Sequence, residues 1–137
     1  QYEHYLNLQA EGVRDIILAE WEGEFAGYLT IQWKSGYAWF RARGIPEVVD
    51  LNVLKKFQRR GIASAMMDEA ESRIKTVSNQ AGIGVGMTPD YGAAQQMYVR
   101  RGYVPNGKGL YNEGRVLAYG DQVEVDDGLV LYLTKVL

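Results

Sequence analysis

Apolar and polar residues change their spacing repeatedly along the chain, and each change predicts an element. Ile16, Ile17, Leu18 and Ala19 form a short apolar run ending at Trp21, the Glu22-Gly23-Glu24 turn follows, and Phe25 to Trp33 continues in β-branched and aromatic residues. This pattern predicts an antiparallel hairpin. Residues 34 to 46, with Gly36, Gly44 and Pro46 around Tyr37, Trp39 and Phe40, form a connection of no assigned shape. Glu47 to Leu54 is a third strand, where Val49, Leu51 and Val53 alternate with Val48, Asp50 and Asn52. From Gly61 the period lengthens. Ala63, Met66 or Met67, Ala70, Ile74 and Val77 recur every three to four residues, with Asp68, Glu71, Ser72 and Lys75 opposite, which predicts an amphipathic helix of about 17 residues closed by Asn79 and Gly82. Ile83 to Met87 is a brief strand, Thr88-Pro89-Asp90 a turn, and Tyr91 to Arg101 a second helix ended by Gly102. Tyr103-Val104 restarts an extended segment, strand-like pieces follow at Arg115 to Ala118 and Gln122 to Val125, and Leu129 to Leu137 is an apolar last strand.

The order from residue 47 onward implies an α/β layer structure with antiparallel elements at both ends. With 137 residues, 47% hydrophobic and 23% charged, residues 1–137 are read as one domain whose single core holds the fold. The absence of cysteine excludes thiol nucleophiles, disulfide scaffolds, iron–sulfur clusters and cysteine-ligated zinc, and the single histidine, His4, leaves no His-rich metal site. His4, beside Tyr2 and Tyr5 near the chain start, is read as a surface residue. A net charge of -2 argues against nucleic-acid binding, which needs a broad basic face. No apolar run approaches the ~20 residues that span a bilayer and no secretory signal is present, so no membrane role and a cytoplasmic location are expected. The chain begins at Gln1 rather than Met, and a leading segment is expected to be missing.

The charge is unevenly spread. Lys55, Lys56, Arg59 and Arg60 place four positive charges in six residues, while Asp121, Glu124, Asp126 and Asp127 make a later region acidic. The basic cluster lies in Leu51-Asn52-Val53-Leu54-Lys55-Lys56-Phe57-Gln58-Arg59-Arg60-Gly61-Ile62-Ala63, a strand, a polar loop and a glycine opening a helix. The first N–H groups of a helix lack intrahelical partners and point outward at its positive end, so a diphosphate can satisfy several at once. Gly61 and Ala63 keep bulky side chains away, and no Ser, Thr, Asp or Asn stands at the expected N-cap. Two readings stand on these residues: a ligand-capped helix, or a solvated basic loop before a core helix.

Gln58-Arg59-Arg60-Gly61-Ile62-Ala63 resembles the Gln/Arg-x-x-Gly-x-Gly/Ala signature of the GNAT N-acetyltransferase superfamily. Ala94, Tyr98, Gly102 and Tyr103 resemble that family's later helix, which reads Asn-x-x-Ala-x-x-x-Tyr and ends in Gly-Phe or Gly-Tyr. The resemblance covers roughly residues 15 to 137 and implies an α+β fold, a mixed and mostly antiparallel central sheet flanked by helices. It implies a splay between the strands at 47–54 and 83–87 with acetyl-CoA wedged in the opening, where Gly82, Gly84 and Gly86 leave room. Leu51, Asn52 and Val53 would then contact the acetyl and pantetheine arm through their backbone. Gln58, Arg59, Arg60, Gly61, Ile62, Ala63 and Ser64 would wrap the pyrophosphate, with Lys55, Lys56, Arg59 and Arg60 near the nucleotide phosphates or simply solvated.

The implied activity is direct transfer of an acetyl group from acetyl-CoA to a primary amine of a small molecule or peptide in a ternary complex, with no metal. The alternative is a catalytically silent acyl-CoA-binding or regulatory domain. Three jobs follow. A backbone N–H near Val53 would hold the oxyanion. Tyr98 is placed by the resemblance to protonate the leaving sulfur or contact the donor, against plain packing in register with Ala94 and Met97. Glu47 is placed as the amine's base, sometimes acting through water in relatives, against a strand-end surface residue. Two departures stand out: the position twelve residues before the tyrosine, a glutamate in some relatives, is Gly86, and Tyr91 stands where the family has asparagine, which puts that donor contact in doubt. Trp33, Tyr37, Trp39 and Phe40 are candidates for an acceptor wall or for core packing. The 104–128 segment either covers the acceptor side or is an ordinary loop. The family's first strand and much of its first helical region would precede Gln1, and an uncovered sheet edge there invites pairing with a second copy, a homodimer.

Overall fold

The computed structural model describes the backbone of residues 2–10 and all of residues 13–137. The side chain of His4 therefore lies outside the described residues, as does Gln1. The fold is mixed α+β with antiparallel pairing dominant. It divides into two compact units, Gln1–Ala81 with Leu137, and Gly82–Val136.

In the first unit, β1 (Tyr2–Ala10), β2 (Arg14–Trp21), β3 (Glu24–Gln32) and β4 (Glu47–Val53) lie side by side in chain order, each antiparallel to the next. The predicted hairpin is β2 and β3. β1 was not among the sequence expectations. α1 (Ala38–Ala42) occupies the connection left unassigned. α2 (Ile62–Lys75) packs on β2, β3 and β4 with Ile62, Met66, Met67, Ala70 and Ile74 buried, and these meet buried Ile17, Leu29, Ile31 and Val48 in the core of this unit. Apolar burial at this spacing is what holds a helix of this length on a sheet.

The amphipathic stretch ends sooner than its pattern predicts, at 14 residues rather than about 17. Thr76 Oγ1 donates to the Arg73 carbonyl at 2.7 Å, Ser78 N–H to the Ile74 carbonyl at 2.9 Å, and Val77 is left 68% exposed. Glu71, expected on the polar face, is buried. Arg73 ties the helix to the sheet, bonding Glu69 at 2.7 Å and facing Asp15 at 3.6 Å.

The second unit opens within β5 (Gln80–Gly86), so Gly82 lies inside a strand rather than ending the helix. A 3₁₀ turn at Pro89–Tyr91 leads into α3 (Gly92–Arg100), one residue later than the predicted start at Tyr91. Gly102, at φ +97, then reverses the chain. β6 (Val104–Asn112), β7 (Arg115–Val116) and β8 (Leu129–Val136) complete the unit in the order β5-β8-β6-β7. Glu113 and Gly114, both at positive φ, make the β6–β7 turn. Gln122 to Val125, expected as strand-like, forms none: Val123 and Val125 are exposed and find no strand to pair with. No helix among the described residues is long and apolar enough to cross a membrane.

Candidate functional site

The end of β4 is shaped by a bulge. Thr30 pairs with Val49 and Tyr28 with Asn52, so Asp50 and Leu51 together face the single residue Leu29. Asp50 takes φ +54, a left-handed conformation that aspartate tolerates better than most residues. Beyond the bulge β4 presses against Gly27 so closely that a Cβ there would stand 2.4 Å from the Asn52 carbonyl oxygen. Leu51 and Val53 are half-buried, whereas Asn52 is exposed and donates from Nδ2 to the Tyr28 hydroxyl at 3.3 Å.

The loop to α2 is fixed at several points. Leu54 N–H donates to the Ala26 carbonyl at 2.8 Å, Phe57 is buried, and Gln58 Nε2 reaches back to the Val53 carbonyl at 3.1 Å. Arg59 and Gly61 then turn the chain with φ +65 and +77. Gly61 is the residue before α2, no side chain caps the helix, and a Cβ at Gly61 would meet nothing within 4 Å. Ala65 N–H bonds to the Gly61 carbonyl at 3.0 Å, so the intrahelical ladder starts there and the amides of Ile62, Ala63 and Ser64 precede it. The Ile62 side chain is buried, which anchors the first turn from behind.

The four cations of the loop separate into two pairs. Lys56 bonds Glu24 at 3.1 Å and Arg60 stacks 5.0 Å from the Trp21 ring, which spends both on the β2–β3 hairpin. Lys55 and Arg59 are exposed and form no ion pair among the described residues. Residues Leu51 to Ser64 of the expected donor site thus lie on one continuous bulge, loop and helix start, with no side chain at Gly61 in front of the first amides of α2, an arrangement compatible with a diphosphate at a helix N-terminus.

Glu47 sits at the opening of β4, opposite Gln32, and is buried rather than a surface residue. Ser35 Oγ donates to its Oε1 at 2.5 Å. Burial pushes the Glu47 carboxyl above the usual range, the Ser35 bond opposes this, and the charge of Asp50 adds to the rise. Sequence reasoning passed over Ser35 and Asp50. A serine two residues before a turn amide, here Tyr37 N–H bonding Ser35 Oγ at 2.9 Å, is a detectable local signal, but a bulge residue leaves no trace in hydrophobic spacing.

Tyr98 and Tyr91 belong to the second unit. Tyr98 is buried on α3, 6.0 Å between centroids from Tyr103, and burial raises its hydroxyl to about 12. Tyr91 donates to Asp127 Oδ1 at 3.2 Å, and its ring fills the space beside Gly86. At Gly84 the same direction is filled by Tyr132 and Val130. The room expected at Gly84 and Gly86 is therefore taken by side chains of their own unit. Among the acceptor-wall candidates, Tyr37 and Phe40 are core residues in edge contact at 4.9 Å, Trp33 donates to Asp15 at 3.1 Å, and Trp39 lies under Arg43. The 104–128 segment is partly the β6–β7 hairpin, and beyond it Asp121 accepts bonds from Ala118 N–H and Arg115.

No curated protein matches the chain. Among solved structures, a GNAT family acetyltransferase from Elizabethkingia anophelis with acetyl-CoA bound superposes with a TM-score of 0.67 at 16% identity, covering 92% of this chain and 78% of that one. A ribosomal-protein-alanine N-acetyltransferase from Brucella melitensis gives 0.65 at 17% identity, with 90% and 69% covered. Nourseothricin acetyltransferase gives 0.67 at 21% identity, with 94% and 68% covered. These likenesses establish the fold. The sequence profile of the acetyltransferase (GNAT) domain matches residues 2–118, and the chain belongs to the GNAT acetyltransferase family.

Proposed function

We propose that residues 1–137 act as one N-acetyltransferase domain, passing the acetyl group of acetyl-CoA directly to a primary amine of a small molecule or peptide. The observation that carries this reading is the uncapped start of α2 behind left-handed Gly61, directly after the bulged end of β4, in a chain of this family. The acetyl-CoA named for the Elizabethkingia structure supports the choice of donor. The reading calls on no metal.

In this proposal the amides from Gly61 to Ser64 hold the pyrophosphate, Gln58, Arg59 and Arg60 line that loop, and Leu51, Asn52 and Val53 present backbone groups to the acyl arm. The thioester supplies an activated acetyl group. An N–H near Val53 stabilises negative charge on the carbonyl oxygen as it forms, at no reorganisation cost because the bulge already fixes it. Glu47 takes the proton of the incoming ammonium. Its raised affinity for a proton brings it nearer to the amine and eases that transfer. Tyr98 donates toward the leaving sulfur. Its hydroxyl keeps its proton to about 12, whereas a thiol loses its own near about 8.5, so complete transfer is uphill by about 5 kcal/mol. Tyr98 therefore contributes mainly a hydrogen bond that strengthens as charge builds on sulfur. Tyr91 stands at the position that is asparagine in the family, and its hydroxyl is already engaged by Asp127.

Calorimetry with acetyl-CoA is the first test, and no binding at millimolar ligand would remove the proposal. A screen for release of free coenzyme A over amines, polyamines, amino acids and peptide N-termini is the second. Binding without turnover on any of them would leave an acyl-CoA-binding domain.

A further inference from the structure

The loop between β3 and β4 carries a hydrogen-bond chain whose direction is fixed. Ser35 is 1% exposed. Its Oγ accepts the Tyr37 N–H at 2.9 Å and stands 2.5 Å from Glu47 Oε1. A hydroxyl has a single proton to give, and an amide hydrogen already points at its oxygen, so that proton is directed at the carboxylate. The loop itself is held by Arg41, whose Nη1 donates to the Ser35 carbonyl at 2.9 Å, and the backbone of Glu47 is held by its pairing with Gln32 on β3. The charged neighbours are Asp50, which acts on Glu47 from β4, and Arg41 of α1, which is engaged by the Ser35 carbonyl. Nothing in this arrangement is needed to close the loop alone: the Ser35 carbonyl and the Tyr37 amide would do that without the bond to Glu47.

We propose that Ser35 is a positioning residue for the acetyl transfer, occupying Oε1 of Glu47 so that the carboxylate is locked in one rotamer with Oε2 left as the oxygen that takes the amine's proton. This rests on the reading of Glu47 as the base. Loss of the Ser35 hydroxyl frees the carboxylate to rotate and removes a donor that favours its charged form, so the acid is expected to hold its proton to higher pH. Replacement by threonine keeps the hydroxyl and is expected to keep the titration.

The test follows the carboxyl carbon of Glu47 by NMR in protein labelled at glutamate, with the resonance assigned by its absence in Glu47→Gln. In Ser35→Ala the midpoint should move to higher pH, and in Ser35→Thr it should stay near that of the parent. The acid limb of the rate profile, with the best amine from the screen, should move with it. An unmoved midpoint and an unmoved limb in Ser35→Ala, with the limb lost in Glu47→Gln, would overturn the role of Ser35 while leaving Glu47 as base. A limb that persists in Glu47→Gln would remove the base and this inference together. Should Ser35→Ala fail to fold, the hydroxyl proton of Ser35 in the parent protein serves instead. Its resonance is expected to follow the Glu47 titration, and independence from it would defeat the proposal.

Discussion

The ring of Tyr91 occupies the space into which a side chain at Gly86 would project: a Cβ on Gly86 would stand 2.4 Å from Tyr91 Cε2 and 2.5 Å from Cδ2. The two ways in which this chain departs from its family's pattern are thus one. Where some relatives carry a glutamate on β5, the chain has no side chain at all, and the residue that replaces the family's asparagine fills the gap. Tyr91 is held there by its bond to Asp127, and Gln95 Nε2 covers the Gly86 carbonyl at 2.8 Å. Gly86→Ala is expected to cost about 1–3 kcal/mol through overpacking. Combining it with Tyr91→Ala should cost much less than the sum of the two single changes, because the clash then has no second partner. Urea denaturation of the four proteins measures this, and additive losses would show that the ring and the glycine are not coupled.

Gly61 should be sensitive through its backbone alone. A methyl group there meets nothing within 4 Å, yet φ is +77. Gly61→Ala is therefore expected to lose about 1–2 kcal/mol of stability, the cost of holding an ordinary residue in the left-handed region. Part of that strain can be relieved by unwinding the first turn of α2, which would scatter the amides proposed to hold the pyrophosphate. Calorimetry should then show acetyl-CoA affinity reduced by about tenfold, or about 1.4 kcal/mol. Gly61→Asn, which accepts positive φ more readily, should lie between the two. Equal affinity in all three would mean that the start of α2 does not bind the donor.

Burial and charge at Glu47 work against each other, and pH separates them. Its pKa is raised in the folded protein above the ordinary 4.5, chiefly by burial. A group raised in this way contributes stability that is fully present below its unfolded value and is lost as pH rises through the folded one. The parent protein should accordingly weaken as pH climbs above about 4.5, and Glu47→Gln should not show that loss. The variant is expected to be the more stable of the two at neutral pH and to lose this advantage in acid, while its activity falls. Denaturation midpoints between acid and neutral pH test the sign. A Gln variant less stable than the parent at neutral pH would mean that the carboxylate is a structural anchor, not a charge held in place for chemistry.

Much of this was legible in spacing. The β2–β3 hairpin, β4, α2, β5, α3 and β8 all follow from apolar periodicity, and the signature around Gly61 falls on the loop and uncapped helix start that the proposal assigns to the donor. What spacing could not show was anything decided by pairing or by space in three dimensions. Val77 keeps the rhythm of α2 yet lies outside it, because the Thr76 hydroxyl and the Ser78 amide close the chain on the Arg73 and Ile74 carbonyls. Asp50 reads as one polar step in an alternating strand, although it is the residue that breaks the register. Val123 and Val125 look like half a strand and have no partner. Gly84 and Gly86 read as empty space, but their emptiness is filled by Tyr132, Val130 and Tyr91.

Tyr98 carries the sharpest kinetic expectation. Tyr98→Phe removes one oxygen from a buried ring, preserving its packing against Tyr103, so stability should change little while the hydrogen bond proposed to the leaving sulfur is lost. A donor acting on the departing group is worth roughly a hundredfold or more in kcat. Because that bond strengthens only as sulfur gains charge, KM for acetyl-CoA should hardly move. A loss below about fivefold would return Tyr98 to the role of a core residue.

Gly27 supports the bulge from the neighbouring strand, and its contacts are backbone, which cannot step aside as a side chain can. A Cβ there would lie 2.4 Å from the Asn52 carbonyl oxygen and 3.0 Å from Val53 Cα. Gly27→Ala must therefore push β4 away from β3 at the point where Leu51, Asn52 and Val53 present their backbone. The expected cost is about 3 kcal/mol, at the upper end of what one added methyl group does. Gly92→Ala is the control. Its Cβ would meet nothing within 4 Å and its backbone, at φ -58, is already helical, so it should be neutral or stabilise by about 0.4–1 kcal/mol. If the close approach at Gly27 is what sets the end of β4, Gly27→Ala will lose acetyl-CoA binding even where denaturation shows the protein folded, and Gly92→Ala will not. Intact binding in folded Gly27→Ala would mean that the donor does not depend on the backbone beyond the bulge, and the placement of the acyl arm on residues 51–53 would have to be abandoned.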